Sequence, residues 1–105
     1  MAENNPELPK ALKVSSGSDE PALLKSLQRR KTVTIGRAHG CDVVIKDVKA
    51  SRRHCRLTRS EAGFVLEDLN SKNGTLVDGA KITSPVELKL NQTFKIGDTV
   101  FYLAS

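Results

Sequence analysis

The chain has 105 residues, enough for one domain with a modest core and too few for two. Its formal net charge of +5 points to anionic partners without separating nucleic acid from phosphopeptide or acidic protein. Aromatic residues are only 4%, with no Trp, too few for stacking on single-stranded bases, and no apolar run approaches the roughly 18 residues of a membrane helix.

Residues 1–10, MAENNPELPK, are polar and hold two prolines, with no basic region running into an apolar core. They are expected to be a flexible lead-in rather than a secretory signal, so the expected setting is cytoplasmic, or nuclear in a eukaryote. The folded domain is expected over residues 11–105. Ala11 to Val14 has the look of a short strand, and a turn-rich patch follows from Ser15 to Pro21. The apolar piece from Ala22 to Leu27 fits a strand or a single helical turn, and its length does not choose. Thr32 to Ile35 is β-branched and runs into Gly36; Val43, Val44 and Ile45 form another short run. Further on, Cys55 and Leu57 alternate with Arg56 and Thr58, and Phe64 and Leu66 with Val65 and Glu67. Phe94 and Ile96 flank Lys95, and Thr99 to Leu103 closes the series. Gly, Asn, Asp and Pro breakers separate these runs, and none sustains a capped 3.6-residue period. The pattern predicts an all-β, antiparallel sandwich or barrel with little helix.

Cys41 and Cys55 share no CxxC spacing and are expected to be reduced, partly buried thiols. Zinc held by His39, Cys41, His54 and Cys55 is disfavoured, because neighbours such as His54 and Cys55 point to opposite faces of a strand. No metal or other cofactor is expected. Three polar stretches exceed what a plain sandwich needs: Ile35 to Arg37, the segment ASRRHCRL at 50–57, and DLNSKNGTLVDG at 68–79. Ser51 and His54 could form a nucleophile and its base. Their spacing of three along a strand sets them on opposite faces, and no third member or oxyanion hole is evident. In the third stretch, Asn73-Gly74 and Asp78-Gly79 favour tight turns, so two turns joined by a short strand would explain it locally.

The order of these motifs carries more. Gly36-Arg37, CDVVI at 41–45, SRRH at 51–54, DLNSKNGT at 68–75, and Asp78-Gly79 with Ile82 three residues on closely resemble the forkhead-associated (FHA) family. The resemblance spans roughly Thr32 to Leu103. It implies an antiparallel β-sandwich of about ten to eleven short strands with binding loops at one end. It also implies a phosphothreonine-dependent interaction module that binds partner proteins downstream of a Ser/Thr kinase, and no enzyme. By that resemblance Arg37, Ser51 and Arg52 contact the phosphate and Asn73 binds the peptide backbone. His54 braces the loops, while Gly36 and Gly74 let them turn. Asp47, Lys49 and Lys72 are the candidates for peptide specificity, the lysines leaning toward an acidic residue. No nucleic acid or membrane partner is expected. The module is expected to be monomeric and could be one piece of a longer protein. The alternatives are a phosphate-independent scaffold of the same fold and a basic nucleic-acid-binding domain. Arg53, Arg56 and Arg59 are expected to form a solvated face.

Elementary chemistry agrees with these roles. A phosphate monoester carries roughly −1.5 to −2 charges and three acceptor oxygens. It calls for several convergent donors, each charge-assisted hydrogen bond contributing about 1.5–3 kcal/mol. An asparagine amide has both a donor and an acceptor, so it can pair with a peptide unit and hold the ligand extended. One departure from the family pattern falls at Leu90, which is followed by Asn91-Gln92-Thr93 where many members have Gly-Asp. Asn also tolerates left-handed geometry, so a turn there is still expected.

Overall fold

Alternating apolar residues become eleven strands in a computed structural model that describes residues 8–15, 22–28, 30–61 and 63–105. They are β1 (Ala11–Ser15), β2 (Ala22–Ser26), β3 (Thr32–Gly36), β4 (Val43–Val44), β5 (Cys55–Arg59), β6 (Phe64–Asp68), β7 (Leu76–Val77), β8 (Ala80–Lys81), β9 (Val86–Leu88), β10 (Thr93–Ile96) and β11 (Thr99–Ala104). The described residues contain no helix. The segment from Ala22, open between strand and helical turn, is a strand. Most of the expected lead-in, residues 1–7, and the turn patch at 16–21 lie outside the described residues.

The strands form two sheets. One has the order β2-β1-β11-β10-β7-β8 and the other β4-β3-β5-β6-β9. The antiparallel expectation holds except at one pair, since β4 lies parallel to β3, with Ile35 opposite Val43 and Gly36 opposite Val44. The loop between them, 37–42, returns the chain to run beside β3 in the same direction. That loop is closed by Asp42, whose carboxylate accepts from the Thr34 backbone N–H (2.9 Å) and hydroxyl (3.1 Å). The Thr34 backbone bond is the main reason why the Asp42 carboxyl lies below the usual range.

Period-two patterning places the core between the sheets. Val33, Ile35, Cys55, Leu57, Phe64, Leu66 and Leu88 point inward from one sheet. Leu12, Phe94, Ile96, Phe101 and Leu103 point inward from the other, where Phe94 and Phe101 stack with centroids 4.9 Å apart. Tight turns join the shorter strands. Asp78 (φ 53°) and Gly79 (φ 82°) both take positive φ between β7 and β8, the signature of a type I′ hairpin. The turn at Asn91 forms as expected, with φ 72°, and its side chain accepts from the Tyr102 hydroxyl at 2.8 Å.

β3, β6 and β10 end, and β5 and β11 begin, at the same end of the sandwich. The loops 37–42, 45–54 and 69–75 and the turn at Gly97-Asp98 therefore gather there.

Candidate phosphate-facing site

Gly36 is where the first two loops meet. A Cβ built on it would lie 2.2 Å from the Arg52 carbonyl oxygen and 2.8 Å from its carbon. Only a residue without a side chain permits that approach. Two backbone bonds exploit it, from Arg37 N to Ser51 O at 3.1 Å and from Ala38 N to Arg52 O at 3.0 Å. The Cys41 thiol also donates to the Arg52 carbonyl at 3.2 Å. Arg37 is anchored at its root as well, its Nε donating to the Ala50 carbonyl at 2.5 Å. One side of the guanidinium is thus fixed while its Nη groups bond to nothing among the described residues.

His54 is fully buried and joins the second loop to the third. Its Nδ1 accepts from the Ser51 backbone N–H at 3.0 Å. The other nitrogen, Nε2, then carries the proton and donates to the Gly74 carbonyl at 2.8 Å. Both ring nitrogens are thereby engaged by backbone, Nδ1 as acceptor and Nε2 as donor, which leaves no lone pair for a metal and no contact with the Ser51 hydroxyl. That hydroxyl instead accepts from the Lys72 backbone N–H at 3.0 Å. Its own proton is donated to nothing among the described residues and is free for an outside acceptor.

The third loop is tied down by Asp68. Its Oδ1 accepts from the hydroxyls of Ser71 (2.5 Å) and Thr75 (2.7 Å), and its Oδ2 from the Ser71 N–H (3.0 Å). Partial burial pushes this carboxyl up, but the bonds from Ser71 and Thr75 outweigh it and hold it below the usual range. Ser71 Oγ in turn accepts from Gly74 N at 3.0 Å, and Gly74 takes φ 86°.

The stretch 47–50 forms a turn closed by Ala50 N on the Asp47 carbonyl at 3.0 Å. The Asp47 carboxylate faces inward. It accepts from Lys49 N (2.9 Å), Asp98 N (2.9 Å) and the Thr99 hydroxyl (2.8 Å), with the Lys49 bond the main cause of its lowered pKa. The Lys49 ammonium lies 3.3 Å from Asp98 in an exposed pair. Asn73 reaches the same turn, its Nδ2 donating to the Lys49 carbonyl at 2.8 Å. One amide hydrogen is used there, and the other hydrogen and Oδ1 remain for a ligand.

The structure therefore brings Arg37, Ser51, Arg52, Asn73 and Lys72 onto neighbouring loops at one end, with His54 beneath them. Arg37 and Arg52, together with Ala38 and His39, line a cleft of about 450 Å³. Arg52 and Lys72 are exposed and make no side-chain bond among the described residues. Asp47 and Lys49, expected to face the peptide, have their charged groups directed at the β10–β11 turn. Sequence reasoning overlooked Asp68, Thr99 and Gly97 as supports. Asp68-x-x-Ser71 was a usable signal, since Asp commonly bonds backbone a few residues on. Of the three arginines expected on a solvated face, Arg53 is exposed while Arg56 and Arg59 are half-buried. Arg56 pairs with its cross-strand partner Glu67 at 2.5 Å, and its Nε is buried. Arg59 donates to the carbonyls of Leu27 and Arg30 and lies over the Phe64 ring, 4.9 Å from its centroid.

The chain is a two-sheet sandwich that gathers, on three loops at one end, donors without a partner among the described residues. The chain matches the FHA domain model over residues 33–97 and belongs to the FHA family. Among curated proteins it is 42% identical over 71 residues to the FHA domain-containing protein FhaB of Mycolicibacterium smegmatis, covering 68% of this chain and 46% of that protein. The chain thus spans about half the length of that relative. The FHA domain of the CT664 protein of Chlamydia trachomatis has the same fold, with a TM-score of 0.79, 34% identity, and coverage of 90% of this chain and 94% of that one. A structure from an analysis of phosphothreonine-dependent FHA domain interactions matches with a TM-score of 0.74 at 26% identity, covering 90% and 94%.

Proposed function

We propose that this domain is a phosphothreonine-dependent interaction module that binds phosphorylated segments of partner proteins produced by a Ser/Thr kinase. The observation that carries the reading is the convergence of donors with no internal acceptor: the Arg37 Nη groups, the Ser51 hydroxyl and the Arg52 side chain, on loops locked to each other by backbone bonds. A phosphate monoester supplies the acceptors and charge that this set lacks. Asn73, held by Lys49 O, offers its remaining amide groups to the ligand backbone beside the phosphate. Prior fixing of Arg37, Ser51 and Asn73 lowers the ordering cost of binding. Two or three charge-assisted bonds less these costs suit a complex of about micromolar affinity. The role is binding rather than catalysis: His54 Nδ1 already accepts from the Ser51 backbone N–H and its Nε2 donates to the Gly74 carbonyl, so the ring has no lone pair left to take the Ser51 hydroxyl proton.

The test is an oriented phosphothreonine peptide library beside its unphosphorylated counterpart, with wild type and Arg37→Ala. Capture of the phosphorylated library alone, lost in Arg37→Ala by about 10- to 100-fold, is the expected result. Equal capture of both libraries, or binding that survives Arg37→Ala, refutes the reading in favour of a phosphate-independent scaffold.

A further inference from the structure

Asn73-Gly74 is the single Asn-Gly pair in the sequence. Glycine has no side chain to shield its amide nitrogen, so at this pair the asparagine amide is open to attack by the backbone nitrogen that follows it. Asn73 is exposed, and Gly74 is half-buried at φ 86°. In the reaction the Gly74 nitrogen attacks Asn73 Cγ and forms an N–C bond. The Cγ–Nδ2 bond breaks, and the amide group leaves as ammonia, taking the Gly74 proton. Water then opens the resulting succinimide ring. Attack at Cγ gives aspartate, and attack at the Asn73 backbone carbonyl gives isoaspartate, which lengthens the main chain by one carbon. Water is the only co-reactant.

Two hydrogen bonds oppose the first step. Gly74 N–H donates to Ser71 Oγ at 3.0 Å, which holds the proton that must leave. Asn73 Nδ2 donates to the Lys49 carbonyl at 2.8 Å, which holds the leaving group. Ser71 is itself fixed by Asp68, through its hydroxyl at 2.5 Å and its N–H at 3.0 Å. The third loop therefore has to open locally before the ring can close.

We infer that Asn73-Gly74 is a modification site, at which the empty domain deamidates through loop opening and so loses its hold on phosphorylated ligands. The consequence rests on the phosphothreonine reading; the chemistry does not. Aspartate at position 73 has no hydrogen for the Lys49 carbonyl. It also sets a negative charge on the loop whose Lys72 N–H bonds the Ser51 hydroxyl, where the ligand brings about −1.5 to −2 charges. A bound segment that pairs with the remaining amide groups of Asn73 favours the closed loop, so occupancy protects the site.

The experiment ages the full chain in mildly alkaline buffer, natively and in urea, alongside native Ser71→Ala and Ser71→Thr. Aspartate and isoaspartate are mapped at every asparagine by mass spectrometry. Expected is conversion at Asn73 ahead of the other asparagines in urea, slowed at least about tenfold in the native chain because two hydrogen bonds must open. Ser71→Ala should convert at least about threefold faster than native wild type, and Ser71→Thr, which keeps the hydroxyl, at the wild-type rate. Passed over a phosphothreonine-peptide resin, aged protein should leave its converted chains in the flow-through, and peptide present during ageing should slow conversion. Native conversion as fast as in urea, equal rates in Ser71→Ala and wild type, or converted chains retained on the resin overturn this inference alone. If Ser71→Ala fails to fold, the urea comparison and the resin still decide, since neither needs a variant. Fresh wild type that does not prefer the phosphorylated peptide overturns the phosphothreonine reading, whereas the conversion rates are read independently of it.

Discussion

The imidazole of His54 is the most informative single group to remove. It is fully buried and bridges Ser51 N–H and Gly74 C=O at 3.0 and 2.8 Å. Replacing it with Ala strands one backbone donor and one backbone acceptor. Each stranded group costs about 1–3 kcal/mol, and the lower half of that range applies because the flanking loops are only half-buried. The vacated ring adds lost packing, giving a total of about 3–4 kcal/mol. Urea denaturation followed by tryptophan-free probes such as far-UV circular dichroism measures it. With a slope of about 1–3 kcal/mol per molar, the midpoint falls by at least about 1 M. Asn at position 54 can restore an acceptor near Ser51, and Gln a donor near Gly74, so each should fall between Ala and wild type. Phosphopeptide affinity, measured by calorimetry on the folded Ala variant, should weaken at least about tenfold, since two loops lose their common support. An Ala variant within about 1 kcal/mol of wild type, or with unchanged affinity, would refute the bracing role.

Gly36→Ala places a methyl against the Arg52 backbone, which cannot swing aside, so phosphopeptide binding should be lost and stability reduced by about 1–3 kcal/mol. Unaltered amide shifts at 37–38 and 51–53 in an NMR spectrum would argue against that clash. Asp42, Asp47 and Asp68 are all held below the usual carboxylate value of 3.8 in the folded state. Depressed folded values contribute stability that is present above that range and lost as pH falls through the lowered values. Acid titration should therefore loosen the binding end below about pH 4, and Asp68→Asn should flatten that dependence; an identical acid profile in the variant would count against it. Arg59→Ala removes two carbonyl contacts and the Phe64 stacking, and should cost about 2 kcal/mol in thermal or urea unfolding. Its phosphopeptide affinity should stay within about twofold of wild type, and a larger fall would reinstate Arg59 as a ligand-facing cation.

Strands with two or more alternations were legible, because period-two burial writes itself into the residues: Val33 and Ile35, Cys55 and Leu57, Phe64 and Leu66, Phe94 and Ile96 all point inward. β7, β8 and β9 were not, since two or three residues hold no period; β7 appeared only as the short strand between two turns. The parallel direction of β4 has no local signal, as it depends on how Asp42 folds the preceding loop back on Thr34. At the binding end, Arg37, Ser51 and Asn73 stood out by motif order. The ties from Asp47 to Asp98 and Thr99 span 51 and 52 residues, and no spacing rule announces so remote a partner. Arg56 and Arg59 were misjudged because their partners, Glu67 and the carbonyls of Leu27 and Arg30, become neighbours only through the sheet register.

β1 and β11 are antiparallel neighbours, with Ala11 beside Ala104 and Lys10 N donating to the Ala104 carbonyl at 2.8 Å. Thr99, at the other end of β11, touches Asp47. The start of β1 and the end of β11 thus share one point, about 17 Å of strand away from the loops at the other end. Any flanking polypeptide would be attached behind the domain like a single stalk, leaving the loops to face outward. Such a plug can be grafted into a host loop or tethered to a surface by either terminus, or by both, with its mouth unobstructed. A fusion at residue 8 and a fusion at residue 105 are therefore equivalent ways of presenting the same open face.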